Sequence, residues 1–130
     1  MASRSLNDLA GPVKKAALDF QVAAAAGGLD VLIYCTLRSS ADQASLYALG
    51  RTVPGKIVTH ARPGASLHNP DASGKSWAFD AAPMVGGKCM FHDEPLLLKM
   101  GLIGETVGLQ WAGRWRGRIR ESVHFQMTRR

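Results

Sequence analysis

The sequence predicts an α+β domain, with about three helices packed on a small, mainly antiparallel sheet. Three observations lead there. Several stretches place apolar residues at helical spacing between start and stop signals. Between them lie short apolar or alternating stretches with no helical period. The tetrad Val85-Gly86-Gly87-Lys88 reads as a hairpin turn, which joins antiparallel strands. At 130 residues the chain has the size of one domain, and residues 1–130 are read as one.

Val13, Ala16, Ala17, Phe20 and Ala24 recur at helical spacing. Pro12 suits a first turn and Gly27-Gly28 suits a stop, which predicts a helix over Pro12 to Ala26. Leu29 to Leu37 is apolar and β-branched and reads as a buried strand. Ser40-Ala41-Asp42-Gln43 has the form of a capping box, in which Ser40 caps the Gln43 amide and Gln43 reaches back. A helix should follow to Leu49 and stop at Gly50. Residues 51–75 are rich in Pro, Gly, Ser and Asn and read as loop. Ser76 to Pro83 reads as a strand. Asp93 caps a further helix with Pro95 in its first turn, and Leu96, Met100, Ile103 and Val107 form its apolar stripe. Gly108 ends it. Leu109 to Met127 reads as extended pieces with a glycine-containing turn.

Composition narrows the function classes. Hydrophobic residues make up 46% and charged residues 20%, as in a soluble globular protein. No apolar run approaches the roughly 18 residues of a membrane span. Met1 to Leu9 carries Arg4 and Asp8 but no apolar core, so no secretory signal is expected and synthesis in a cytoplasm is. Residues 1–110 hold ten Lys/Arg against nine Asp/Glu, whereas residues 111–130 hold six Arg against Glu121 alone. That basic end points to a polyanionic partner: nucleic acid, anionic membrane or acidic cell wall. Cys35 and Cys89 are too few for a zinc ribbon. They could form one disulfide after export, and two reduced, partly buried thiols is the simpler reading.

Three polar residues stand in or near predicted strands, two of them among apolar neighbours. Asp80 lies in Trp77-Ala78-Phe79-Asp80-Ala81-Ala82, where a carboxylate is costly to bury unless paired or metal-bound. His124 lies in Val123-His124-Phe125-Gln126. His68 follows Gly64-Ala65-Ser66-Leu67 just before the Asp80 strand. Two imidazoles and one carboxylate, with a fourth position open, form the pattern of catalytic zinc. Each residue taken singly fits a hydrogen-bonded core position better. Glu121, three residues before His124, could accept a proton from water at such a site, or simply neutralise a nearby arginine. His60 and His92 read as surface residues.

The blocks also carry a resemblance. Leu37-Arg38-Ser39-Ser40-Ala41-Asp42-Gln43, with Leu46-Tyr47 and Gly50-Arg51-Thr52 behind it, resembles "Y-R-S-x-x-x-Q-x-x-L-Y-x-x-G-R-T". That block belongs to the zinc-dependent D-Ala-D-Ala carboxypeptidases and L-alanyl-D-glutamate endopeptidases. Ser66-Leu67-His68-Asn69 is similar to the family's "S-x-H-N", and Ala78-Phe79-Asp80 to its "A-x-D". Gly108 to Trp115 is similar to "G-L-E-W-G-G-D-W", and Glu121 to Gln126 to "D/E-x-x-H-F-Q". The blocks follow in family order over residues 29–127. The single-domain form looks most like a phage or prophage endolysin.

The resemblance implies a site. His68, Asp80 and His124 would hold one catalytic zinc ion. Glu121 would be the general base and then protonate the leaving amine. Arg38 would polarise the scissile carbonyl or hold a substrate carboxylate, tasks its guanidinium fork suits. Ser66 and Gln43 would position substrate or shape the pocket, with the capping box an equal reading for Gln43. Trp111 and Trp115 would wall the cleft or the core. Eleven residues separate His68 from Asp80, more than the family usually has, so Asp71 competes as the carboxylate ligand. Asp80 is preferred because a strand fixes a ligand better than a loop. Leu37 stands where the family often has Tyr, and Arg114 where it often has Asp.

The expected activity is hydrolysis of a stem-peptide bond of peptidoglycan, L-alanyl-D-glutamate first and terminal D-alanyl-D-alanine as the alternative. The expected setting is a monomer made in the host cytoplasm, released by a holin-type partner and acting in the periplasm or cell wall. Arg114, Arg116, Arg118 and Arg120 alternate, so an extended segment would present them on one face to an anionic wall or outer-membrane surface. Charged protection of an edge strand explains the same pattern. A basic nucleic-acid-binding or wall-binding module without catalysis is the competing class. It would use the arginines with Trp111 and Trp115 and leave His68, Asp80 and His124 unexplained; no nucleic acid is expected.

Overall fold

A computed structural model of the protein describes residues 2–128, with the side chain of Arg118 outside the described residues. Three α-helices pack against a five-stranded sheet, as the sequence predicts. Helix α1 spans Gly11–Ala26, β1 Asp30–Cys35, α2 Ser40–Ala48, β2 Ala78–Val85 and β3 Lys88–Cys89. Helix α3 spans Glu94–Thr106, followed by β4 at Gln110–Trp111 and β5 at His124–Gln126. The sheet order is β1-β2-β5-β4, with β3 paired to β2, and every strand pair is antiparallel. No helix among the described residues is long and apolar enough to cross a membrane.

Strand β2 organises the molecule because its two faces do different work. Phe79 and Ala81 point into the core, where Phe79 stacks on Phe125 of β5 at 5.4 Å between ring centroids. Phe20 of α1 closes the triangle at 5.7 and 5.1 Å. The buried face of α1 is Val13, Ala16, Ala17, Phe20 and Ala24, the residues its helical period selects. Asp80, one residue along from Phe79, takes the opposite face. The register sets it beside Cys35 of β1 and His124 of β5. The hairpin after β2 closes through Gly86 and Gly87, both at positive φ, 58° and 78°, which side chains rarely adopt.

Several boundaries differ from expectation for physical reasons. Strand β1 stops at Cys35, because the Thr36 amide turns to the Ser3 carbonyl. Strand β2 begins at Ala78, since Ser76 instead donates its amide to the Asp8 carbonyl and sets its one O–H among the Thr36, Leu67 and Ala78 carbonyls. The capping box is not formed. Ser39, one residue earlier, caps α2 by accepting from the Asp42 amide, and the Gln43 side chain is buried elsewhere. Helix α2 ends at Ala48 rather than Leu49. In α3 the most buried face is Leu97, Met100, Gly101 and Gly104, while Leu96, Ile103 and Val107 pack at its margin. The two glycines admit the Trp111 and Phe125 rings against the helix backbone. Gly104→Ala is therefore expected to overpack the core, costing about 1–3 kcal/mol and lowering the thermal midpoint; calorimetry measures it, and an unchanged midpoint would remove that packing role.

The arginine stripe is also corrected. Ala112–Arg114 and Gly117–Ile119 form short 3-10 turns, so the segment is not extended and Arg114, Arg116 and Arg120 do not share a strand face. Arg114 pairs with Glu105, and Arg120 bonds Glu94 and the Gly113 carbonyl. Arg116 is exposed.

Candidate metal centre and active site

The loop between α2 and β2 brings His68 under the sheet edge. The middle of the loop is held there by the Arg38 amide on the His68 carbonyl and the Trp77 amide on the Leu67 carbonyl, 2.8 and 2.9 Å. His68 is 2% exposed. Its Nε2 lies 3.1 Å from Asp80 Oδ1, and His124 Nδ1 lies 3.2 Å from the same oxygen. Asp71 does not approach. Its carboxylate accepts from the Ser73 and Lys75 amides and from Trp77 Nε1, which closes the extra loop between Asn69 and Lys75.

The partners behind the two imidazoles settle which ring nitrogens carry protons. His68 Nδ1 is 2.8 Å from the Thr36 carbonyl, which can only accept, so Nδ1 is the donor. His124 Nε2 is 2.8 Å from Gln126 Oε1. The Gln126 amide donates its own Nε2 hydrogen to Gln110, which leaves Oε1 facing the ring as an acceptor. Both remaining nitrogens, His68 Nε2 and His124 Nδ1, therefore present lone pairs to a carboxylate oxygen. Three electron-rich atoms this close in a buried site require a cation among them, either added protons or a metal.

Without metal, the proton solution dominates. Burial disfavours charge on His68, but the Asp80 carboxylate and its hydrogen bond outweigh burial and push His68 up to about 10. Burial likewise opposes ionisation of Asp80, yet the charge on His68 and hydrogen bonds from both histidines hold its carboxyl well below the usual range. Burial, then Asp80, raises Tyr34.

A divalent metal fits the same donors. Tetrahedral zinc with bonds near 2.0–2.1 Å has ligand–ligand edges of about 3.3 Å. The two edges that meet at Asp80 Oδ1 are 3.1 and 3.2 Å, and both imidazoles already donate their far N–H to an oxygen, the usual support of a zinc histidine. Among the described residues, the donors whose ligand atoms all lie within 4.8 Å of one another are Cys35, His68 and Asp80, with His124 outside that group. Cys35 Sγ lies on the Nδ1 side of His68, at 3.8 Å, and receives Arg38 Nη2 at 3.4 Å, so it backs the site rather than facing the lone pairs. Cys35 and Cys89 are both free thiols. Gln126→Leu removes the acceptor behind His124 and is expected to weaken zinc binding about 10–100-fold in chelator competition; undiminished affinity would deny Gln126 that role.

A cleft of about 570 Å³ opens over these donors. Glu121 lines it, with Oε2 3.7 Å from His124 Nδ1, as do Arg38 and Ser66. Arg38 reaches to 3.9 Å from Asp80 Oδ2, the oxygen turned away from the histidines. Ser66 Oγ accepts from the His68 amide. Trp115 walls the cleft with its ring 5.7 Å from His124. Trp111 is a core residue whose Nε1 donates to the Ser122 carbonyl. Gln43 is fully buried behind Arg38 and does not line the cleft. His60 and His92 are both exposed, and His60 also lines the cleft with Leu46, Val58 and Ile119. Sequence reasoning missed Cys35, His60 and Gln126. Of these only Gln126 had a signal: it stands two residues from His124 and so shares its strand face.

No family model matches the sequence. The sequence is 34% identical over 132 residues to the peptidoglycan L-alanyl-D-glutamate endopeptidase CwlK of Bacillus subtilis (strain 168), covering 93% of this chain and 74% of the relative. The chain belongs to the zinc D-Ala-D-Ala carboxypeptidase and L-alanyl-D-glutamate endopeptidase family. Two solved structures share the family fold. The L-Ala D-Glu endopeptidase ChiX of Serratia marcescens superposes with a TM-score of 0.65 at 16% identity, over 98% of this chain and 89% of that one. The LdcB LD-carboxypeptidase does so with a TM-score of 0.63 at 20% identity, over 97% and 72%.

Proposed function

We propose that this chain is a zinc-dependent peptidase of endolysin type that hydrolyses the L-alanyl-D-glutamate bond of peptidoglycan. The observation that carries the reading is the pair of imidazole lone pairs facing Asp80 Oδ1 on the floor of an open cleft, with Glu121 beside them. His68, Asp80 and His124 would hold the ion. Zinc in such a site acts as a Lewis acid and makes water acidic enough to ionise near neutral pH. Glu121 accepts the proton from water and returns it to the departing amine. Arg38 donates to the carbonyl oxygen as negative charge develops there. Ser66 and Trp115 bound the space in which the stem peptide lies.

The activity of the Bacillus subtilis relative favours the endopeptidase. Removal of a terminal D-alanine is the second reading, favoured by the placement of Arg38 at the cleft, where its fork can hold a free carboxylate. The biological setting proposed is phage-type host lysis: a monomer made in the host cytoplasm, released through a holin-type pore, and acting on the wall. Its formal charge of +6 attracts it to that anionic surface. Against a non-catalytic nucleic-acid module stands Trp111, which is packed in the core and offers no stacking face.

The test is metal content together with loss of turbidity on Gram-negative cells whose outer membrane has been permeabilised. Stoichiometric zinc and lysis abolished by a chelator are expected. Zinc-free protein that still lyses, or zinc-loaded protein that leaves the wall intact, contradicts the proposal.

A further inference from the structure

Gln43 is 0% exposed, and its side chain amide is fully engaged. Its Oε1 accepts from Arg38 Nη1 at 2.9 Å. Its Nε2 donates to Thr59 Oγ1 at 3.2 Å and to the Ala61 carbonyl at 2.7 Å. Both amide hydrogens are used, so no donor remains for substrate. Thr59 and Ala61 line the cleft on the loop after α2, and Arg38 lines it too. One buried side chain thus joins the two. The other contacts of the guanidinium are weaker: the Cys35 sulfur at 3.4 Å, and Asp80 Oδ2 at 3.9 Å, beyond hydrogen-bond length.

The far end of α2 grips the same wall. Arg51 donates from Nη2 to the Thr59 carbonyl at 3.1 Å and from Nη1 to the Tyr47 carbonyl at 2.7 Å, and its guanidinium stacks 3.8 Å above the Tyr47 ring. Thr59 Oγ1 accepts again from the Ala61 amide at 3.2 Å. Helix α2 is therefore a strut. Its first turn holds Arg38 and the wall together through Gln43, and Arg51 holds the wall from the other side.

We propose that Gln43 is a positioning residue, not a substrate contact: it fixes the Arg38 guanidinium against the Thr59–Ala61 wall, so that arginine and wall keep one geometry. The inference rests on the peptidase reading above. An arginine that must meet a developing charge loses much of its value when free to rotate, because a misplacement of about 1 Å can cost about 100-fold in rate. Truncating Gln43 therefore lowers kcat and leaves KM nearly unchanged, and it does so through Arg38.

A double-mutant cycle on zinc-loaded full-length protein tests this, with kcat and KM on a stem peptide, zinc per chain and thermal midpoint measured for each variant. Gln43→Met is expected to lower kcat by about 100-fold with zinc retained. In an Arg38→Ala background the same substitution should cost less than about twofold further, since residues acting as one unit are not additive. Gln43→Glu keeps an acceptor facing Arg38 but loses both donors to Thr59 and Ala61, so it too should lower kcat, and it carries the same cycle if Gln43→Met does not fold. Equal losses with and without Arg38, or a loss that falls on KM rather than kcat, overturn the proposal. An inactive wild type sinks the peptidase reading instead, so the two failures are distinct.

Discussion

Glu121→Gln is expected to lower kcat by about 10²–10⁴-fold while the chain keeps its zinc and its thermal midpoint. The expectation follows from position. Glu121 Oε2 is 3.7 Å from His124 Nδ1, at the rim of the donor set. It is 39% exposed as a side chain, so it meets the cleft where water enters. His68 and Asp80 hold each other directly, whereas Glu121 is left to exchange a proton with a reactant. The glutamine variant has the same shape but cannot accept a proton, so binding should persist and the chemical step should fail. Peptidoglycan hydrolysis assayed alongside metal analysis gives the answer. A variant with more than a tenth of wild-type kcat would leave Glu121 as a mere neighbour of the arginines.

Asp80→Asn is expected to abolish stoichiometric zinc and to destabilise the metal-free fold by about 3 kcal/mol, the scale of breaking a buried ion pair. The pH dependence has a definite sign. His68 is raised to about 10 in the folded chain, so its contribution is complete below its unfolded value near 6.5 and fades as pH rises towards 10. Asp80 is lowered, so its contribution is complete above about 4, its unfolded value, and is lost as pH falls through the lowered one. The metal-free wild type should gain most from the pair between about pH 4 and 6.5, and Asp80→Asn should lose most there. Zinc must displace the His68 proton, so its apparent affinity should rise about tenfold per pH unit from pH 7 to 9. Chemical denaturation across pH and chelator competition measure both. A variant as stable as wild type at pH 5, or zinc affinity independent of pH, would contradict the ion-pair account.

The sequence made Asp80 and His124 visible because each is a polar residue among apolar neighbours, whereas His68, in a polar loop, is marked by its S-x-H-N block. Asp80 follows Phe79 on a strand, and the alternation of faces puts one in the core and the other at the site. His124 falls opposite it by register, which no local pattern encodes but the ordered blocks imply. The parts that stayed hidden are those carried by backbone. The Thr36 carbonyl that sets the His68 tautomer belongs to a residue whose side chain gives no sign of it. The capping box failed because two serines stand side by side, and the choice between them was made by Gln43. Its side chain gains three buried hydrogen bonds with Arg38, Thr59 and Ala61, more than a cap could offer. Glycine explains the other two misreadings. Gly101 and Gly104 are the contact face of α3, yet apolar periodicity passes over them. Gly117, at φ 68°, turns the arginine segment out of the extended form that the alternation assumed.

The measurement closest to the central claim is mass spectrometry of the products from purified peptidoglycan digested by the zinc-loaded protein, with a chelator-treated control. Stem peptides with a new amino-terminal D-glutamate, leaving L-alanine on the glycan, and no such products after chelation, are the expected result. Stoichiometric zinc without any newly cut stem-peptide bond would contradict the account.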